Sequence, residues 1–261
     1  MIDFYTLFSS SSGNSSLITN GRTNILIDAG VSCSKINTAL GEIGLSPNEI
    51  DAVLLTHEHR DHISGAGVMS RKYNIPLYAS EETLMETVKI TADVYDRNLR
   101  IVKPKEVFEI RDFAVCPFSI PHDAKNPTGF SIMCDNKKYT VATDIGNITE
   151  TLLKSLCKSD CVLLESNHDV DMLKNGKYPY YLKKRILSNI GHLSNDNAAW
   201  VATQLAKWGT KNITLGHLSK ENNTPEFAYE CSFKMLTQNG ASVGEDVVLK
   251  VAPPSGIHKI N

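Results

Sequence analysis

The chain has 261 residues, 41% hydrophobic and 21% charged, a balance that excludes a disordered protein and supports a fold with a core large enough to need no disulfides. Its 27 Lys and Arg against 29 Asp and Glu leave a net charge of −2, which excludes recruitment of a polyanion by bulk charge. A nucleic-acid partner would need a local concentration of cations.

The opening stretch MIDFYTLFSSSSGNSSLI has no basic n-region and breaks its apolar content with serines, so it does not read as a secretory signal. No apolar run approaches the roughly 18 residues that span a bilayer, and the expected location is the cytoplasm, away from membranes. Six cysteines are scattered without a C-x-x-C pair, as expected of reduced, buried thiols.

In chain order, apolar segments at Ile2–Phe8, Leu17–Ile18 and Asn24–Asp28, with the hairpin signal Asn20-Gly21, predict a β-rich start. Ser32 caps a helix carrying Ile36, Leu40 and Ile43 and stopping near Gly44. Asp51–Leu55 reads as a strand buried on both faces, followed by a histidine-rich loop and a helix over Ile63–Tyr73. A strand at Leu77–Ala79, a helix at Glu81–Ile90, a strand pair within Val107–Ile120 and strands at Gly129–Cys134 and Tyr139–Thr143 come next. The last third alternates helices at Thr149–Cys157, Pro179–Ile190, Asp196–Trp208 and Pro225–Asn239 with strands at Cys161–Leu164, Asn212–Leu215 and Val247–Val251. Without a repeat or a Pro/Gly-rich linker, residues 1–261 read as a single α/β domain of two mixed sheets flanked by helices.

The chemistry concentrates at Thr56-His57-Glu58-His59-Arg60-Asp61-His62, directly after a buried strand. Imidazole nitrogens and carboxylate oxygens are ligands for zinc and similar divalent ions. His57 and His59, two apart, point to one side of an extended loop, while Asp61 and His62 begin the next turn and can face a second ion. The helical zinc motif H-E-x-x-H fails on spacing, because its second His would fall on Asp61. Further candidate ligands, His122, Asp144 and His217, stand at the C-terminal ends of predicted strands. Asp28, also at a strand end, is placed to orient a liganding His from behind.

With these residues in view, the sequence resembles the metallo-β-lactamase fold superfamily, whose H-x-H-x-D-H motif is matched by His57, His59, Asp61 and His62. The resemblance implies a four-layer αβ/βα sandwich, two mixed sheets with helices on the outer faces, across essentially the whole chain. It also implies two divalent ions, Zn or Mn with Fe admissible: His57, His59 and His122 on one, Asp61, His62 and His217 on the other, and Asp144 bridging. The segments Ser11-Ser12-Gly13-Asn14-Ser15, Glu165-Ser166-Asn167-His168-Asp169, Gly191-His192-Leu193-Ser194-Asn195 and Gly216-His217-Leu218-Ser219-Lys220-Glu221-Asn222 are similar to the YycJ/VicX (WalJ) type of metallohydrolase.

Two ions sharing a water imply hydrolysis, with hydroxide as nucleophile and Asp61 orienting it. His192 is not needed to complete the ligand set, and the resemblance to phosphodiesterase branches makes it the group that assists the leaving oxygen. Between Met172 and Gly191 the chain is locally +5, and Lys183, Lys184 and Arg185, interleaved with tyrosines, suit a phosphate backbone and stacked bases. Ser12 and Asn14, in a tight turn, and Asn167 are further substrate-binding candidates, and His168 a supporting one. The expected function is therefore a dinuclear phosphodiesterase acting on nucleic acid, DNA rather than RNA, and plausibly an exonuclease. A small-molecule hydrolase of the same fold, cleaving a cyclic phosphodiester or thioester, and a non-catalytic metal-binding regulatory protein are the alternatives. Nothing in the sequence decides the oligomeric state.

Overall fold

The computed structural model describes residues 2–92 and 94–261. The first half of the chain runs through β1 (Asp3–Ser10), β2 (Gly13–Thr19), β3 (Asn24–Ile27), α1 (Cys33–Glu42), β4 (Ala52–Leu54), α2 (Arg60–Ile63), α3 (Ala66–Tyr73), β5 (Leu77–Ala79), α4 (Glu81–Thr91) and β6 (Leu99–Ile101). The second half runs through β7 (Phe108–Ile110), β8 (Phe113–Ser119), β9 (Thr128–Cys134), β10 (Lys137–Ala142), α5 (Glu150–Leu156), β11 (Cys161–Glu165), α6 (Val170–Asn175), α7 (Tyr180–Ile186), α8 (Asn195–Lys207), β12 (Asn212–Gly216), α9 (Pro225–Gln238), β13 (Val248–Val251) and β14 (Ser255–Lys259).

The strands form two seven-stranded mixed sheets, ordered β14-β1-β2-β3-β4-β5-β6 and β13-β12-β11-β10-β9-β8-β7. Alternation along the central strands explains the layers. Ile25 and Ile27 of β3, Ala52 and Leu54 of β4, and Cys161 and Leu163 of β11 join Phe113, Phe130 and Tyr139 in the core between the sheets. The intervening Leu26 and Val53 turn outward onto α1 and α3 through Ile36, Leu40 and Met69. On the other flank Val162, Leu164, Ile213 and Leu215 meet Leu152, Val201, Leu205 and Leu236 of α5, α8 and α9. The expected two-sheet sandwich with helices outside is the observed one.

Hydroxyl caps start the helices: Ser32, Ser80, Thr149, Ser194 and Thr224 each accept a backbone N–H of the first turn. Three elements escape the sequence pattern: β6, α6 and the edge strand β14, whose SGIHK carries little apolar signal. The helix expected over Ile63–Tyr73 begins at Ala66 as α3, and Ser64 and Gly65 separate it from α2, a single turn that shares only Ile63 with the expected span. The helix expected to reach Ile190 ends at Ile186, where Ser188 Oγ donates to the Arg185 carbonyl at 2.7 Å and competes with the helical ladder.

The parallel strands β3 and β4 in one sheet and β10, β11 and β12 in the other discharge their chains at their C-terminal ends. β8, antiparallel to β9 as β9 is to β10, points the same way. Loops from both sheets thus meet along one edge, the usual place for a site in such sheets. Asp28, Asp144 and His217, each just past such a strand end, have left-handed backbones with φ of 61°, 60° and 57°. That conformation costs a non-glycine residue about 1–3 kcal/mol and is kept where the surroundings enforce it.

Candidate metal centre and cleft

Five of the seven expected ligand side chains are buried, and all seven converge on this edge; His59 and Asp61 are partly exposed. His57 Nε2 lies 3.0 Å from His59 Nδ1, which lies 3.3 Å from His122 Nε2. Asp61, His62 and His217 form a second group whose donor atoms lie within 4.8 Å of one another. Asp144 stands between the groups: Oδ1 is 3.3 Å from His217 Nε2 and 3.7 Å from His122 Nε2, and Oδ2 is 3.3 Å from His62 Nε2.

The outward nitrogens show what the inward ones are for. His62 Nδ1 donates to Asp28 Oδ2 at 2.8 Å, and His122 Nδ1 donates to the Gly191 carbonyl at 3.0 Å. His57 Nδ1 donates to Thr56 Oγ1 at 3.0 Å, and that hydroxyl donates to Asp28. With the outward nitrogens engaged, the inward nitrogens face one another and the carboxylates across the cleft, an arrangement that a cation relieves. Asp144 Oδ2 is buried and makes no hydrogen bond. The donor set of nitrogen and carboxylate oxygen around that orphaned atom fits divalent ions of the Zn or Mn type.

Electrostatics agree. Burial, followed by neighbouring His62, holds the His57 imidazole well below its usual range, and burial lowers His122 also, so both stay neutral. Burial opposes ionisation of Asp144, but His217, His62 and the other imidazoles override it and hold the carboxyl well below the usual carboxylate range; Asp61 is lowered in the same way, chiefly by His62. Neutral His57 and His122 beside ionised carboxylates are in the states a metal requires; burial lowers His62 as well, but Asp144, Asp28 and Asp61 hold it well above its usual range, so an ion there would displace its proton.

Across the cleft, His192 Nδ1 donates to Glu165 Oε1 at 2.7 Å, and Glu165 Oε2 accepts the backbone N–H of Ile145 and Leu193. Burial pushes His192 down, but the fully buried Glu165 carboxylate, helped by Asp144, raises it to about 9. Ser194 is the α8 cap, so His192 has no capping duty.

A family model described as a beta-lactamase superfamily domain matches residues 23–217, which contain every one of these candidate ligands. The chain belongs to the β-lactamase superfamily. Within it, the protein is 40% identical over 242 residues, 92% of this chain and 90% of the relative, to "Exodeoxyribonuclease WalJ" of Streptococcus pneumoniae serotype 2. It is 34% identical over 244 residues, 94% of this chain and 92% of the relative, to "Exodeoxyribonuclease YycJ" of Bacillus anthracis. The fold is shared with the metallo-β-lactamase fold protein YhfI of Bacillus subtilis, at a TM-score of 0.72 and 14% identity over 99% of this chain and 98% of that one.

The remaining candidates of this superfamily member divide sharply. A cleft of about 210 Å³ opens onto His59, Asp61, Asp144, His192 and His217, walled on one side by Tyr178, Leu182, Arg185 and Ile186 and on the other by Ser11, Asn167 and Ser219. Arg185 is at the cleft as expected, but its guanidinium is paired with Asp123. Asn167 also lines the cleft, while its Nδ2 donates to the His217 carbonyl at 3.0 Å. Lys183 does not face the cleft: its ammonium donates to the carbonyls of Lys174 and Gly176 at 2.7 Å and ties α7 to the end of α6. Lys184 lies on the exposed side of α7, outside the cleft lining. Ser12 shares a hydroxyl contact with Ser10 at 3.1 Å, leaving Ser11 at the cleft in its stead. Asn14 is buried, its carboxamide spent on the ligands themselves. His168 is buried behind the cleft with Nδ1 unpartnered, and burial pushes it down to about 4.

Glu165 and the inward turn of Asn14 are the features that sequence reasoning missed. A glutamate ending an apolar strand, CVLLE, offered a signal for the first: a charge at a position buried on both faces requires a partner.

Proposed function

We propose that the protein is a dinuclear metal-dependent exodeoxyribonuclease, that residues 1–261 act as one domain, and that it works in the cytoplasm. The reading is carried by one conjunction: a complete two-ion donor set in a chain 40% identical, over 92% of its length, to a relative named for DNA cleavage. The six cysteines, none of them paired, agree with a reducing compartment.

His57, His59 and His122 would hold one ion, Asp61, His62 and His217 the other, and Asp144 both. Such ions, Zn or Mn with Fe also admissible, supply a nucleophile at neutral pH and stabilise charge on the phosphoryl oxygens. Asp61, ionised and at the cleft, orients the attacking water. His192, cationic through Glu165, gives its Nε2 proton to the leaving oxygen, and Glu165 keeps the other nitrogen turned away. Asp28 fixes His62 directly and His57 through Thr56. Tyr178 offers a stacking face for a base, and Arg185 a cation for a neighbouring phosphate.

The confined cleft equally suits a small cyclic phosphodiester. Metal-loaded wild type, His192→Ala and Asp61→Ala, given 5′-phosphorylated duplex DNA, single-stranded DNA, RNA and a chromogenic phosphodiester, separate the readings. Stepwise loss of DNA ends by wild type alone supports the nuclease; turnover of the small ester with DNA and RNA intact refutes it.

A further inference from the structure

We infer that Asn14, the second residue of β2, is a positioning residue of the metal centre that builds the half formed by Asp61, His62 and His217. The inference rests on the two-ion reading above and deepens it.

The Asn14 carboxamide lies against all three side chains. Its Oδ1 accepts from His217 Nδ1 at 3.1 Å, and its Nδ2 lies 3.3 Å from the Asp61 carbonyl, 3.4 Å from Asp61 Oδ2 and 3.1 Å from His62 Nε2. Only one orientation of the amide suits these neighbours. Turned over, its oxygen would face two Asp61 oxygens, acceptor against acceptor, and His217 would carry its proton on Nε2, aimed at Asp144. As it stands, the proton of His217 is fixed on Nδ1 and the Nε2 lone pair faces inward. Once His62 Nε2 commits its lone pair to an ion, both hydrogens of Nδ2 go to Asp61.

The backbone holds this amide in place. Gly30 N–H donates to the Asn14 carbonyl at 2.7 Å, and a Cβ on Gly30 would fall 1.6 Å from the Asp61 carbonyl oxygen and 2.6 Å from Asn14 N, so only glycine lets the turn approach the ligand loop. Beside it, Ser9 Oγ accepts the His217 backbone N–H at 3.0 Å, and Ser15 Oγ donates to the Asp28 carbonyl at 2.9 Å. The serine-rich turn thus joins the far end of β12 to the loop after β4. The His57, His59 and His122 group makes no hydrogen bond to Asn14, so the effect falls on one half alone.

Loss of an outer partner of a metal ligand weakens binding about 10–100-fold. The test titrates metal-free wild type, Asn14→Ala and Asn14→Leu with Mn2+, following free ion by electron paramagnetic resonance and heat by calorimetry. The leucine variant keeps the volume of the turn should alanine fail to fold. Wild type takes up two ions; the variants keep one site within about twofold and lose about 10–100-fold at the other, with melting temperature close to wild type before metal is added. Two wild-type sites in a folded variant, equal weakening of both sites, or a wild type with a single site would each overturn the inference. Cleavage is not the readout: a wild type that binds two ions and leaves DNA intact refutes the nuclease and leaves the role of Asn14 standing.

Discussion

Replacing Glu165 by Gln should shift the pH range of cleavage and leave the metal ligands in place. In wild type, burial disfavours the His192 cation, but the Glu165 carboxylate outweighs burial and raises the imidazole to about 9 from an ordinary 6.5. A general acid must carry its proton, so wild-type activity is present below that value and is lost as pH rises through it. Glutamine removes the charge and leaves the desolvation, so the imidazole falls well below its wild-type value, with Asp144 alone still raising it. At pH 8 about nine-tenths of wild type is protonated, and each unit by which the variant lies below that pH costs about tenfold in kcat/KM. At pH 6 the loss shrinks to a few-fold. Bound dications lower both proteins together, so the separation of the two alkaline limbs is the quantity to measure. The assay is a pH–rate profile on an oligonucleotide and on a p-nitrophenyl phosphodiester, whose good leaving group needs little protonation and should lose much less. An unchanged alkaline limb, or an equal loss at every pH on both substrates, would refute the proton-donor role.

Prolonged chelation should abolish cleavage, and Mn2+ or Zn2+ should restore it, with metal content followed by mass spectrometry. Tyr178→Ala should raise KM for oligonucleotides by roughly 5–150-fold, as expected for a lost stack of about 1–3 kcal/mol, and leave the chromogenic ester unaffected. Lys183→Ala should change the salt dependence of DNA binding little, because its ammonium serves two carbonyls; Arg185→Ala, at the cleft, leaves the Asp123 carboxylate unpaired and should weaken DNA binding more than Lys183→Ala does. Leu54→Ala, fully buried between the sheets, should cost about 2–5 kcal/mol in denaturant unfolding.

How much of this was readable in advance follows from how local each signal is. The strands of the central layers declare themselves because each is apolar on both faces: Ala52–Leu54 and Cys161–Glu165 need no partner to be recognised. His57, His59, Asp61 and His62 are legible because their chemistry is packed into one loop, and His122, Asp144 and His217 because each closes a strand. The short edge β14 lacks that signal: its pairing with β1 comes from the opposite end of the chain. Asn14 misleads for the same reason. A polar residue in a serine-rich turn looks solvated until β1 and β2 pair and Gly30 brings the turn against Asp61, 47 positions away. Lys183 is the converse case, a cation whose carbonyl partners appear only when α6 and α7 come together.

These placements alter where the cleft finds its positive charge. The +5 stretch counts Lys183, whose charge is satisfied by backbone, and Arg185, which is paired with Asp123. Burial raises the Asp123 carboxyl, yet the guanidinium holds it low, so the pair stays ionised and nearly neutral in sum. Asp61 and Asp144 add two negative charges at the cleft floor, opposed before metal arrives by His192 and by His62, which burial lowers but Asp144, Asp28 and Asp61 hold well above its usual range. A phosphate backbone would meet a near-neutral or negative pocket there. Bound divalent ions would add positive charge there, so DNA affinity, and not turnover alone, should depend on metal. Measured by fluorescence anisotropy on an oligonucleotide that resists cleavage, affinity should fall by at least about 10-fold on metal removal, and affinity independent of metal would return the binding role to the lysines of α7.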